Sequence, residues 1–116
     1  MRRDDRLRLQ HMLDAGREAV RFARGKTRGD LNHDRVLVLA LVKLIEIVGE
    51  AASRVTAERQ QAHPDIPWRD IVAMRNRLIH GYFDIDLDRV WDTVTDDLPP
   101  LLDQLEAALA RPDSPA

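Results

Sequence analysis

Apolar positions along the chain recur with the spacing of helices. Leu9, Met12, Leu13, Gly16, Val20 and Ala23 share one face of a predicted helix from about residue 4 to 24, and Gly25 is a suitable stop. After a linker from Lys26 to Leu31, a second helix is predicted from near Asn32 to about Glu58. It is apolar nearly all round from Val36 to Val48, as a central element covered on most sides would be. Gln61 to Ile66 reads as a loop, because His63-Pro64 disfavours helix before the proline, while Pro67 suits the opening of a third helix that stops near Gly81. A fourth follows Asp84-Ile85-Asp86, whose carboxylates suit a cap, with Leu87, Val90, Trp91, Val94 and Leu98 on one side. Pro99-Pro100 should kink or break it before Leu101 to Leu109. No stretch alternates apolar and polar residues long enough to predict a strand. The expectation is an all-α fold, an up-and-down bundle of four to five helices in one domain over residues 1–110, with a disordered tail over 111–116.

Composition narrows the setting. There is no cysteine, which removes disulfides and thiolate metal sites and makes a reducing cytoplasm the expected location. The opening Met1 to Arg6 lacks the apolar core of an export signal, and the run from Val36 to Val42 is too short to span a bilayer, so no membrane association is expected. A net charge of −2 argues against a broad surface built on many phosphate contacts. Residues 1–35 nevertheless carry ten basic against six acidic side chains, so any nucleic-acid contact should be local.

The chemistry concentrates in Met74-Arg75-Asn76-Arg77-Leu78-Ile79-His80-Gly81-Tyr82-Phe83. Arginine offers a permanently charged planar fork to a phosphate, and histidine exchanges a proton near neutral pH. An arginine five positions before a histidine is weak by itself, since Arg6 with His11 and Arg28 with His33 share the spacing. Asn76 beside the arginine, with Gly81 and the chain's only tyrosine, Tyr82, after the histidine, sets the third case apart.

Arg75 falls within a predicted stripe of Trp68, Ile71, Val72, Leu78, Ile79 and Tyr82, where a charge is costly unless paired. Glu46 and Glu50, four apart on the second helix, are candidate partners in a buried ion pair. Arg75 and His80 lie roughly 140° apart around a regular helix. Convergence on one phosphate therefore requires either unwinding at His80-Gly81 or a second copy of the motif across a two-fold axis. Read singly, His80 is also compatible with a helix-end histidine and Tyr82 with a packing residue. His11 and His33 read as surface positions, and Asp84, Asp86 and Asp88 as capping residues, since they lack the glycine turn and closing glutamate of a calcium loop. No metal site or cofactor is expected.

The blocks Ile45 to Ala52, His63 to Trp68 and Arg75 to Tyr82, continued by Val90-Trp91 and Asp97-Leu98-Pro99, make the chain resemble the HepT-like branch of the HEPN helical ribonucleases over residues 4–109. The resemblance implies a homodimeric toxin of a type VII toxin–antitoxin system that cuts RNA without a metal ion. The family motif, Arg-x4-His-x-Tyr, falls on Arg75, His80 and Tyr82, with its polar residue on Asn76. The implied partner is a minimal nucleotidyltransferase antitoxin that transfers AMP to the tyrosine. In chemical terms Arg75 would stabilise charge on the transition state and His80 would act as general base. An idle binding subunit for a nucleotidyltransferase and a purely structural helical dimer are the alternatives from other classes.

Overall fold

The computed structural model describes residues 1–80 and 84–111, with His80 described through its backbone alone. Tyr82, and the tail from residue 112 onward, lie outside the described residues. Among the described residues six α-helices follow in order: α1 (Arg3–Ala23), α2 (Arg35–Ser53), α3 (Ala57–Ala62), α4 (Trp68–Leu78), α5 (Leu87–Asp92) and α6 (Leu98–Ala110). The fold is all-α, apart from one antiparallel pairing of β1 (Ile79–His80) with β2 (Asp84–Ile85).

The first helix keeps the expected face. Leu9, Met12, Leu13, Gly16, Ala19 and Ala23 are buried along it, and Gly25 ends it with φ of +78°, a conformation other residues adopt only with strain. α1 packs on α2 and α6, and α2 packs on α4. The linker after Gly25 is more ordered than its composition suggests: Arg28–Asn32 forms a 3₁₀ turn closed by a capping box between Thr27 and Asp30.

α2 is less enclosed, and shorter, than its apolar run implies. Leu41, Ile45, Val48 and Ala52 are fully buried, but Val36 is 79% and Leu39 48% exposed, because α1 and α4 leave one side of the helix open. The helix stops at Ser53 instead of running on toward Glu58. The cause lies far away in sequence. Asp5 of α1, itself buried, accepts hydrogen bonds from the Thr56 backbone N–H (2.9 Å) and hydroxyl (2.7 Å), and Thr56 then caps α3 by accepting from the Arg59 N–H. α3 consequently occupies the beginning of what reads as loop.

Three further departures concern the second half. α4 ends at Leu78, three residues before the predicted stop at Gly81, and the chain becomes extended at Ile79. Ile79 then pairs with Ile85 and His80 with Asp84, a ladder too short to leave an alternating pattern in the sequence. Finally, Pro99-Pro100 does not break the last helical segment. A π turn over Thr93–Asp97 joins α5 to α6, the Leu98 N–H donating to the Thr93 carbonyl, and the chain stays helical through the two prolines that follow. Both guanidinium Nη atoms of Arg6 donate to the Leu109 carbonyl, at 3.2 and 3.1 Å, and so tie α1 to the end of α6.

Candidate functional site

The core-facing stripe of α4 is Trp68, Ile71, Met74 and Leu78. Met74 thus takes the interior place that the sequence pattern offers to Arg75. Arg75, one step further round the helix, is half exposed at 50% of its side-chain surface, so the pair it makes with one of its two candidate partners is not a buried one. Its Nη1 lies 3.4 Å from Oε2 of Glu50, which is 48% exposed. The other carboxylate oxygen of Glu50 accepts from Arg54 Nε at 3.0 Å. Glu50 therefore stands between two guanidinium groups in a solvent-screened setting. Glu46, the other candidate partner, lines the same groove but is not paired with Arg75 among the described residues.

Asn76 is exposed, and its amide has no hydrogen-bond partner among the described residues. His80 is separated from Arg75 by the end of α4, so the fixed angle of a regular helix does not relate the two. The break comes between Leu78 and Ile79, slightly earlier than the His80-Gly81 step where the sequence places it. The Asp86 N–H donates to the Leu78 carbonyl at 2.6 Å, fastening β2 back onto the helix end. Tyr82, the position for AMP transfer implied by the resemblance, lies outside the described residues.

The groove beside Arg75 encloses about 370 Å³ between α1, α2 and α4. Arg8 and His11 reach it from α1, Lys43, Glu46 and Glu50 from α2, and Arg54 from the end of α2. His11 is exposed as expected, yet its proximity to Arg75 is not legible in the sequence. A signal was present in outline. Lys43, Glu46, Glu50 and Arg54 recur at three, seven and eleven positions, a polar stripe on an otherwise apolar helix.

Arg77, two residues from Arg75 and about 200° round the helix, faces elsewhere. It lines a second cavity of about 300 Å³ with Asp70, Arg89, Asp96 and Asp97. Burial first, and then the neighbouring Asp96, raises the Asp97 carboxyl above its ordinary pKa. The three aspartates before and within α5 divide their roles. Asp86 caps the helix by accepting from the Arg89 N–H at 3.0 Å, Asp88 pairs with Arg28 at 2.6 Å, and Asp84 belongs to β2.

Residues 12–108 match the Ribonuclease HepT-like family, and the chain belongs to it. A relative named "Probable ribonuclease HepT", from Thermococcus cleftensis, is 33% identical over 106 residues, covering 91% of this chain and 96% of its own. Another from Caldanaerobacter subterraneus subsp. tengcongensis, named "Putative RNase", is 32% identical over 103 residues, covering 89% and 92%. No solved structure matches the chain. Ribonuclease is therefore the activity at the level of the family. No helix among the described residues is long and apolar enough to cross a membrane.

Proposed function

We propose that this chain is a metal-independent endoribonuclease and the toxin of a type VII toxin–antitoxin pair. The observation that carries the reading is the placement of Arg75. It sits on the last turn of α4, half exposed, and among the described residues has only a screened contact to Glu50, so its fork is available to a phosphate. Family membership and the run Arg75-Asn76 followed by His80 and Tyr82 supply the chemistry.

In this account His80 removes the proton of a ribose 2′-hydroxyl, and the 2′-oxygen attacks the adjacent phosphorus. The bond to the 5′-oxygen of the next nucleotide breaks, leaving a 2′,3′-cyclic phosphate and, once that oxygen is protonated, a 5′-hydroxyl. Arg75 stabilises the negative charge that builds on the non-bridging oxygens. Asn76 orients the phosphate or the imidazole. Arginine and histidine together suffice for charge stabilisation and proton transfer, so no metal ion is required.

The working form is a homodimer in which the motifs of two copies meet. The open side of α2 supports this, since exposed Val36 and Leu39 lie near a groove lined by Leu39, Val42, Ile79 and Ile85, next to the end of α4. The antitoxin is a minimal nucleotidyltransferase that transfers AMP from ATP to the Tyr82 hydroxyl and releases pyrophosphate. The added phosphate brings negative charge close in sequence to Arg75 and His80, where it competes with RNA.

The test combines cleavage and modification. The purified protein should cut single-stranded RNA fully in EDTA and leave 2′,3′-cyclic phosphate ends. Incubation with ATP, Mg²⁺ and the cognate nucleotidyltransferase should place AMP on Tyr82 by peptide mass spectrometry and stop cleavage. Tyr82→Phe should remain toxic on expression yet escape the antitoxin. AMP on another residue, or modified protein that still cuts, would overturn the regulatory half; strict dependence on added metal would overturn the catalytic half.

A further inference from the structure

The groove beside Arg75 has a charge unlike that of the whole chain. The net charge is −2, but four cationic side chains, Arg8, Lys43, Arg54 and Arg75, meet two carboxylates there, with His11 as a further titratable group. Arg8 and Lys43 make no ion pair or side-chain hydrogen bond among the described residues. Among the described residues the one carboxylate engaged in the groove is Glu50, and its two oxygens face Arg54 at 3.0 Å and Arg75 at 3.4 Å. A carboxylate held by two guanidinium groups marks a place that an RNA phosphodiester, with a similar pair of non-bridging oxygens and the same single negative charge, can take. Lys43 and Arg54 are eleven residues apart, about 16 Å along the axis of α2, which is more than one phosphate needs.

We propose that this groove is the track for the RNA backbone, Arg8, Lys43 and Arg54 holding phosphates that flank the one at Arg75, with Glu50 as a stand-in that RNA displaces. The proposal rests on the ribonuclease reading of Arg75 and extends it to the substrate-binding surface. It gives the basic first helix a role through Arg8, and it makes the nucleic-acid contact local, as the low net charge requires. Glu50 acquires a sign opposite to its neighbours: as a competitor for Arg75 and Arg54 it weakens RNA binding in the free protein.

The experiment measures binding of the full chain to a fluorescent single-stranded RNA carrying 2′-O-methyl groups, which removes the attacking hydroxyl, over a range of salt concentrations. Arg8→Gln with Lys43→Gln should weaken binding roughly tenfold and flatten the slope of log affinity against log salt by about 1.4, at about 0.7 for each single-strand phosphate contact. Glu50→Gln should tighten binding by about threefold, the equivalent of one screened ion pair. Arg24→Gln with Lys26→Gln removes the same charge from exposed positions outside the groove and should leave affinity within twofold of the parent. Equal losses in the groove pair and this control would reduce the effect to net charge and overturn the proposal. So would a groove pair that binds like the parent, or one that changes oligomeric mass and not RNA affinity, which would assign the groove to a protein contact. Unmodified RNA is assayed alongside. If the parent cuts it while the groove variants bind normally, only the track is wrong; if the parent neither binds nor cuts RNA, the ribonuclease reading fails and the track with it.

Discussion

Arg75 and Glu50 are 25 positions apart in sequence and face each other across the α2–α4 packing at 3.4 Å, each about half exposed. That exposure decides what the contact can be. A screened pair of this kind contributes at most about 1 kcal/mol to stability, whereas a buried one would leave a costly unpaired charge when broken. We therefore predict that Arg75→Ala changes the free energy of unfolding by less than about 1 kcal/mol in a urea titration. A loss of several kcal/mol would show that Arg75 is part of the fold's support.

Gly49 lets α2 and α4 approach closely. A methyl group there would stand 3.2 Å from the Ile71 carbonyl oxygen and 3.7 Å from that of Val72, both backbone atoms of the helix that carries Arg75. Gly16 is more tightly crowded, at 2.6 Å, but by the Leu102 Cδ2 methyl, the end of a partly buried side chain that can turn away. Alanine at either site gains about 1 kcal/mol of helix propensity. At Gly16 that gain should leave the substitution near neutral. At Gly49 the cost of moving backbone exceeds it, for a net loss of about 1 kcal/mol, read as a fall of about 4 °C in melting temperature. Gly49→Ala should also lower RNA cleavage, since the helix that shifts is the one that presents Arg75.

His63 gives a pH signature. It is 4% exposed, and its Nε2 is buried without a hydrogen-bond partner among the described residues, as is Nε of Arg59. Burial, then Arg59 and Arg111, hold the imidazole below its ordinary pKa of 6.5, against a smaller opposing effect of Asp65. The folded protein thus prefers the neutral form, and the unfolded chain takes up a proton first. Stability should be complete above about pH 6.5 and should fall as pH drops through the lower folded value. Melting temperatures between pH 7.5 and 5 should show this decline, and His63→Gln, though less stable at pH 7.5, should show a shallower one. An unchanged slope in that variant would assign the decline to other groups.

Much of this architecture is legible in local pattern, and the misses share a cause. The face of α1, the stop at Gly25 and the cap at Asp86 follow from spacing and local chemistry, as do Trp68, Ile71 and Leu78 on α4. The break after Ser53 does not, because it depends on Asp5 reaching Thr56 across 51 positions. The β1–β2 pairing involves two residues per strand, below what alternation can reveal. At the site, the pattern brings Glu50 and Arg75 into consideration together but misjudges their burial, because Met74 and Arg75 are adjacent on the helix and either could border the core. The convergence of Arg8, His11 and Lys43 near Arg75 arises only when α1 packs against α2. A chain read one segment at a time cannot show it.

Whether Arg75 and His80 form a ribonuclease site is decided by cleavage of single-stranded RNA in EDTA by the parent, Arg75→Ala and His80→Ala, with circular dichroism and solution mass measured on the same samples. The parent should cut, and each variant should lose cleavage by at least about a hundredfold, the scale for removing a transition-state donor or a general base. Helical content and solution mass should be the same in all three. If His80→Ala cuts RNA as fast as the parent, or Arg75→Ala loses activity only by unfolding, the proposed site is contradicted.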